Sequence, residues 1–223
     1  MKKYNLKAPS QHKCQIPNLE EIYEKYIGLK PDGTFIEVGA FDGVSWSNTF
    51  GLAVAGWNGL MLEPQPDYFA LCTKNYEDFP NVKILNMCAG SYSGDIELYT
   101  GFSLATTKKE MVEIYNKTEW FKGVLKEENH ITAKIDTLDS ILQANGIMPG
   151  FDLMVVDVEG AELEVLKGCD INTWKPKMVI IEMHEESNLE ELKQDNEAIN
   201  EYFEKAGYSK VFKDETNTIF VLA

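Results

Sequence analysis

Apolar positions along the chain recur at two spacings, and the alternation between them outlines the fold. Leu19, Ile22, Tyr23, Tyr26 and Ile27 repeat at helical spacing behind Asn18, with Glu21 three residues on, so a capping box is expected to open a helix before the first strand. Strands are expected at about 34–38, 59–62 and 82–86, separated by a helix near 48–56 that ends at Gly56. Another helix runs from Pro66 through Phe69, Leu71 and Tyr76 to a stop at Pro80-Asn81. Gly94 marks a turn ahead of a strand at 96–99, and residues 101–130 carry only weak pattern.

The second half alternates again. Leu138, Ile141 and Leu142 suit a short helix. Residues 151–157 form a nearly continuous apolar strand, as strands covered on both faces do. A helix at 161–168 ends on glycine, and a second buried strand follows at 177–182. Asn188 and Glu191 are expected to cap a long helix with Leu189, Leu192, Ile199, Phe203 and Ala206 on one face. Segments 208–212 and 218–222 close the chain as a hairpin. The whole predicts one α/β domain over 1–223: a doubly wound, mostly parallel Rossmann-like sheet with an antiparallel C-terminal hairpin, preceded by an extension and helix at 1–30.

Composition narrows the partners. A formal charge of −15 argues against a nucleic-acid backbone or an anionic membrane surface. All 21 basic residues are lysine, so no guanidinium is present to clamp a phosphate or carboxylate with two bonds. Cys14, Cys72, Cys88 and Cys169 lack paired or metal-like spacing and suit free thiols in a reducing compartment. The N-terminus shows no apolar run after its lysines, and a cytoplasmic location is expected.

The chemistry concentrates in Phe35-Ile36-Glu37-Val38-Gly39-Ala40-Phe41-Asp42-Gly43 and Leu60-Met61-Leu62-Glu63-Pro64. A strand, a glycine turn, a helix and an acid at the tip of the next strand form a nucleoside-cofactor site, the acid accepting from ribose hydroxyls. A dinucleotide fingerprint requires Gly-x-Gly-x-x-Gly, but Phe41 and Val44 stand where its second and third glycines belong. Glu37, two residues before Gly39, suits a cationic ligand end better than a pyrophosphate.

The pattern Glu37-x-Gly39-x-x-x-Gly43 resembles the first motif of class I S-adenosylmethionine-dependent methyltransferases. Together with Ser47-Asn48-Thr49, Gly56-Trp57-Asn58-Gly59, Glu63-Pro64, Leu138-Asp139, Asp157-Val158-Glu159-Gly160-Ala161-Glu162, Val165-Leu166-Lys167-Gly168 and Ile181-Glu182, it resembles the FkbM family of methyltransferases. That resemblance implies S-adenosyl-L-methionine as cofactor and O-methylation of a hydroxyl on a sugar, glycan or other small molecule. Residues 101–130 hold no family motif; they are either a lid or acceptor-recognition insertion carrying Trp120 and Phe121, or a packed surface excursion.

Ligands of such sheets bind beyond the C-terminal strand ends. The expected cofactor residues are Glu37, Gly39, Ala40, Phe41, Asp42, Gly43, Asn48, Glu63, Pro64, Cys88, Ala89 and Asp157. Glu37 either reaches the cofactor's amino group or holds the loop, and Asn48 either contacts the cofactor tail or caps a helix. Asp157, Glu159 and His184 are the expected catalytic groups. Asp157, Glu182 and His184 could hold Mg²⁺ or Mn²⁺ to activate the acceptor hydroxyl, or form a metal-free acidic rim with His184 as base or solvated. Glu162 is expected to serve only the dipole of the helix it opens. A nicotinamide-dependent oxidoreductase and a catalytically silent cofactor-binding scaffold are the alternatives.

Overall fold

A computed structural model describes residues 14–28, 30–117, 122–183 and 190–223. Its first half contains α1 (Leu19–Tyr26), β1 (Thr34–Val38), α2 (Phe50–Val54), β2 (Asn58–Leu62), α3 (Pro66–Asn75) and β3 (Val82–Leu85). An excursion follows: β4 (Cys88–Gly90), β5 (Gly94–Gly101), β6 (Leu104–Thr106), α4 (Lys109–Lys117) and β7 (His130–Thr137). The chain returns through α5 (Leu138–Ala144), β8 (Leu153–Val156), α6 (Glu162–Lys167), α7 (Ile171–Trp174) and β9 (Met178–Glu182), and ends in α8 (Glu190–Lys205), β10 (Tyr208–Lys213) and β11 (Asn217–Leu222).

The main sheet has seven strands in the order β10-β11-β9-β8-β1-β2-β3, parallel except where β11 meets β9 and β10. Side chains alternate between its two faces: Met154 and Val156 enter one buried cluster, Leu153 and Val155 the other. Because both faces are covered, β8 is apolar at every position rather than at every second one. Strand order reverses between β8 and β2, with β1 in the middle, so a crevice opens beyond the ends of these strands.

The excursion is larger than the weakly patterned segment 101–130. Its four strands form a second sheet in the order β4-β7-β5-β6. β7 was not expected, although Ile131, Ala133 and Ile135 alternate with exposed His130, Thr132 and Lys134. Helix α4 packs Met111, Val112 and Tyr115 into a small cluster with Tyr99, Leu104, Leu125 and Leu192.

Two expectations about helix starts need correction. Asn18 precedes α1 but sits in the left-handed region (φ 57°) and makes no side-chain cap. Asn48 does not cap α2; Ser47 Oγ instead accepts from the Phe50 N–H at 3.0 Å. The expected cap of α8 at Asn188 lies outside the described residues, as do Trp120 and Phe121. Among the described residues, no helix is long and apolar enough to cross a membrane. All four cysteines are free thiols.

Candidate active site

The parallel register sets Val38 beside Leu62 on one flank and beside Val156 on the other. The loops after β1, β2 and β8 therefore leave the sheet together. Backbone bonds stitch them: the Gly39 and Ala40 N–H groups donate to Leu62 O at 3.0 and 2.9 Å, and the Asp157 N–H donates to Val38 O at 2.9 Å. Gly39 has φ 93°, and a Cβ there would stand 1.7 Å from Asp157 O, so no side chain fits between the two loops.

Glu63 leaves β2 and is buried at 4% exposure. Its Oε2 accepts from the Phe41 N–H and its Oε1 from the Gln65 N–H, each at 2.8 Å. The carboxylate is thus locked in place while each oxygen keeps a further lone pair. Burial pushes its pKa up to about 7, against the pull of these two N–H groups. Phe41 takes a left-handed conformation (φ 51°), and its ring lies 4.3 Å from that of Tyr68. Where a dinucleotide loop would aim backbone N–H at phosphate, the N–H of Phe41 is committed to Glu63.

Glu37 points from β1 into the same crevice. Its Oε2 accepts from Thr49 Oγ1 at 2.7 Å, and burial, with smaller contributions from Asp157, Asp42 and Glu63, raises its pKa to about 8. Thr49 belongs to the Ser47-Asn48-Thr49 motif, but only the fold brings its hydroxyl under Glu37.

One cavity joins these groups. It is lined by Glu37, Gly39, Ala40, Phe41, Asn48, Glu63, Pro64, Cys88, Ala89, Asp157 and Glu159. Asp42 and Gly43, expected beside the ligand, are absent from the lining. Asp42 instead accepts from the Val44 and Ser45 N–H groups at 2.8 and 2.7 Å, closing the loop on itself. A Cβ on Gly43 would meet the Tyr76 ring at 2.5 Å, so that glycine answers to packing against α3.

Beyond β8 the acids converge. Val156 pairs with Ile181, so Asp157 and Glu182 emerge side by side. Asp157, Glu159 and Glu182 each offer a carboxylate oxygen within 4.8 Å of the others, a hard-donor set of the kind a divalent cation takes. Burial, then the charges of Asp157 and Glu162, holds Glu182 well above the usual carboxylate range, and Asp157 hydrogen-bonds to it. His184, the third expected metal ligand and a candidate base, lies outside the described residues.

Glu162 does more than face a helix dipole. Its Oε1 accepts from the Val158 and Gly160 N–H groups at 3.0 and 3.2 Å and so braces the loop that carries Asp157 and Glu159.

Three contributors carried no sequence signal of their own. Gln15, in the segment before α1, donates from Nε2 to Asp157 Oδ2 at 3.0 Å and accepts from Asn48 Nδ2 at 3.0 Å. Asn48 also accepts from the Cys14 thiol at 3.1 Å. Gln65 lines the cavity and reaches the carbonyl of Phe102 at the β5–β6 turn, at 3.4 Å. Tyr115, on α4, donates to Glu159 Oε2. Burial, followed by the nearby Glu159 and Glu182 charges, pushes its phenol far above the ordinary value, so it remains the donor.

The methyltransferase FkbM domain matches residues 37–210, and the chain belongs to that family. A hexuronic acid methyltransferase, AglP, from Haloferax volcanii is 31% identical over 128 residues, which cover 57% of this chain and 47% of that protein. The chain thus spans about half the length of this relative. Among solved structures, monomeric WbdD aligns at 14% identity with a TM-score of 0.48, covering 92% of this chain and 40% of that one. The METTL16 MTase domain aligns at 15% and 0.49, covering 93% and 69%. A putative O-methyltransferase from Klebsiella pneumoniae aligns at 11% and 0.48, covering 98% and 86%. The described sheet bears out the expected architecture: an α/β domain with a mostly parallel central sheet and an antiparallel C-terminal pair.

Proposed function

We propose that this member of the methyltransferase FkbM domain family uses S-adenosylmethionine to methylate a neutral hydroxyl on a small molecule, sugar or glycan. The observation that carries the proposal is a single cavity with Glu63 anchored at the tip of β2 and Asp157 and Glu159 beyond β8. The residues fit the cofactor. Glu63 is oriented to accept from ribose hydroxyls, Met87, Cys88 and Ala89 offer an apolar wall for a base, and Glu37 suits an amino group. The cofactor, when bound, supplies a methyl group already activated on a sulfonium centre.

The protein's share is therefore alignment and proton handling. The cavity walls hold the acceptor oxygen in line with the methyl group and exclude water. A neutral hydroxyl is a poor nucleophile, and Asp157 or Glu159 supplies a carboxylate that weakens its O–H bond or takes the proton. His184 is the further base proposed from sequence. Asp157, Glu159 and Glu182 would also be the residues holding a divalent cation, which would do the same work by lowering the pKa of the hydroxyl.

Charge supports a hydroxyl rather than a carboxylate acceptor. The described lining has four carboxyl side chains, Glu37, Glu63, Asp157 and Glu159, and no lysine. An acceptor carboxylate needs no base and would be repelled by the Asp157 and Glu159 carboxylates. A sugar acceptor is supported by the hexuronic acid relative, and an uncharged ring position fits this lining better than the acid group.

The test is calorimetry with S-adenosylhomocysteine, followed by S-adenosylmethionine turnover on neutral methyl glycosides and on the matching uronic acids, read by mass spectrometry. Binding of the sulfur nucleoside and methyl ethers on neutral glycosides are expected. Affinity for NADH with none for the sulfur nucleosides would replace the proposal with the oxidoreductase alternative. Cofactor binding without turnover on any glycoside or other hydroxyl compound would favour the scaffold alternative.

A further inference from the structure

We infer that Tyr115 is a positioning residue: from helix α4 it holds Glu159 at the acceptor side of the cavity, which makes the excursion a fixed part of the active site rather than a detachable cover. The inference rests on reading that cavity as a methyl-transfer site.

Glu159 lines the cavity, yet its backbone has φ 56°, a left-handed conformation that side chains with a Cβ seldom adopt. A conformation of this kind persists only where its surroundings over-determine it. Three contacts do so. Glu162 accepts from the N–H groups on either side of Glu159, those of Val158 and Gly160. Gly160 has φ 93°, and a Cβ there would meet Met111 Sδ at 2.6 Å, so α4 lies directly on the loop. The Tyr115 hydroxyl, one helical turn beyond Met111, donates to the Glu159 carboxylate itself. Glu162 and Met111 set the backbone, and Tyr115 donates to the functional group itself.

Helix α4 is in turn well seated. Tyr115 is 5% exposed and packs with Met111, Val112, Leu125 and Leu192, the last of these on α8. Lys108, just ahead of α4, forms an ion pair with Asp195 of α8. A helix tied to both α8 and the catalytic loop cannot swing away without releasing Glu159.

The experiment compares wild type and Tyr115→Phe, which keeps the ring and removes only the hydroxyl, by hydrogen exchange. In the unliganded proteins, amides of 157–161 should exchange about tenfold faster in the variant, the range for losing a hydrogen bond to a charged group, with melting temperature little changed. Saturating S-adenosylhomocysteine should slow exchange in both 157–161 and α4 of wild type, and the α4 protection should be lost in the variant. Glu159→Ala should raise α4 exchange by itself, and adding Tyr115→Phe to it should have no further effect, as for two residues acting through one bond. Glu159→Ala also decides the matter should Tyr115→Phe fail to fold. Unchanged loop exchange in Tyr115→Phe, or additive effects in the double variant, would overturn the inference. Absence of S-adenosylhomocysteine binding would overturn the functional proposal alone, since the unliganded comparison still reports on the clamp.

Discussion

The side-chain amide of Gln15 donates to Asp157 Oδ2 at 3.0 Å, joining residues 142 apart in the chain. Its carbonyl oxygen accepts from Asn48 at the same distance, so both ends of the amide are used. Residues 14 and 15, ahead of α1, are thereby tied to the cavity lining, and the Cys14 backbone forms an isolated β-bridge with Trp46 beside it.

Gln15→Ala removes this tie without disturbing the main sheet. Turnover on a neutral glycoside should fall about tenfold, the equivalent of one lost hydrogen bond to a carboxylate, with a smaller change in S-adenosylhomocysteine affinity. Steady-state kinetics beside calorimetry separates the two, and wild-type turnover would remove Gln15 from the site.

Glu63 tests cofactor recognition. Glu63→Ala should weaken S-adenosylhomocysteine binding by about 1–3 kcal/mol, the value of hydrogen bonds to ribose hydroxyls. Titration calorimetry measures it directly, and unchanged affinity would mean that the nucleoside is held elsewhere.

Stability should depend on pH through the buried acids. Burial raises Glu63 from 4.5 to about 7 and Glu37 from 4.5 to about 8. A folded acid with a raised pKa retains protons that the unfolded chain has released, so stability falls with rising pH between the two values. The unliganded protein should therefore show a lower urea midpoint at pH 8 than at pH 5. Glu63→Gln should reduce that fall, since the amide does not titrate. Asp152 shifts the other way: burial alone would raise it, but Lys177 and Lys30 hold it below 3.8, so its contribution changes only at lower pH. A midpoint equally pH-dependent in wild type and Glu63→Gln would show that Glu63 is not the buried proton carrier.

Proton handling beyond β8 should be separable from binding. Asp157→Ala and His184→Ala should each lower turnover by about 10²–10⁴, the usual range for lost acid–base help. EDTA distinguishes the two versions of the acidic cluster: loss of activity restored by Mg²⁺ or Mn²⁺ supports a cation, whereas full activity in EDTA leaves the carboxylates or His184 to act directly. Near-normal turnover in both alanine variants would move the search for the base to Glu159 and the excursion.

Much of the architecture was legible because burial on two faces writes itself into local sequence. Leu153-Met154-Val155-Val156 can be apolar throughout only in a strand covered on both sides, and Glu63 could be placed at a strand tip because a glycine turn precedes it at the right interval. Loop chemistry was less legible. Asp42 and Gly43 belong to the motif, yet one serves a turn and the other a packing contact, since a glycine's reason depends on what stands opposite its missing Cβ.

What the sequence by itself determined is the doubly wound sheet, its closing hairpin, the family resemblance and the acids at the strand ends, all of which follow from short-range periodicity and motif spacing. Tertiary structure alone decided which distant side chains act on those acids. Thr49 under Glu37, Gln15 on Asp157 and Tyr115 on Glu159 are each a single hydrogen bond between polar groups. Such a bond leaves no period in the sequence: it needs only a donor brought within about 3 Å of an acceptor, and many polar residues along the chain could supply one. The sheet register and the packing of α4 select these three.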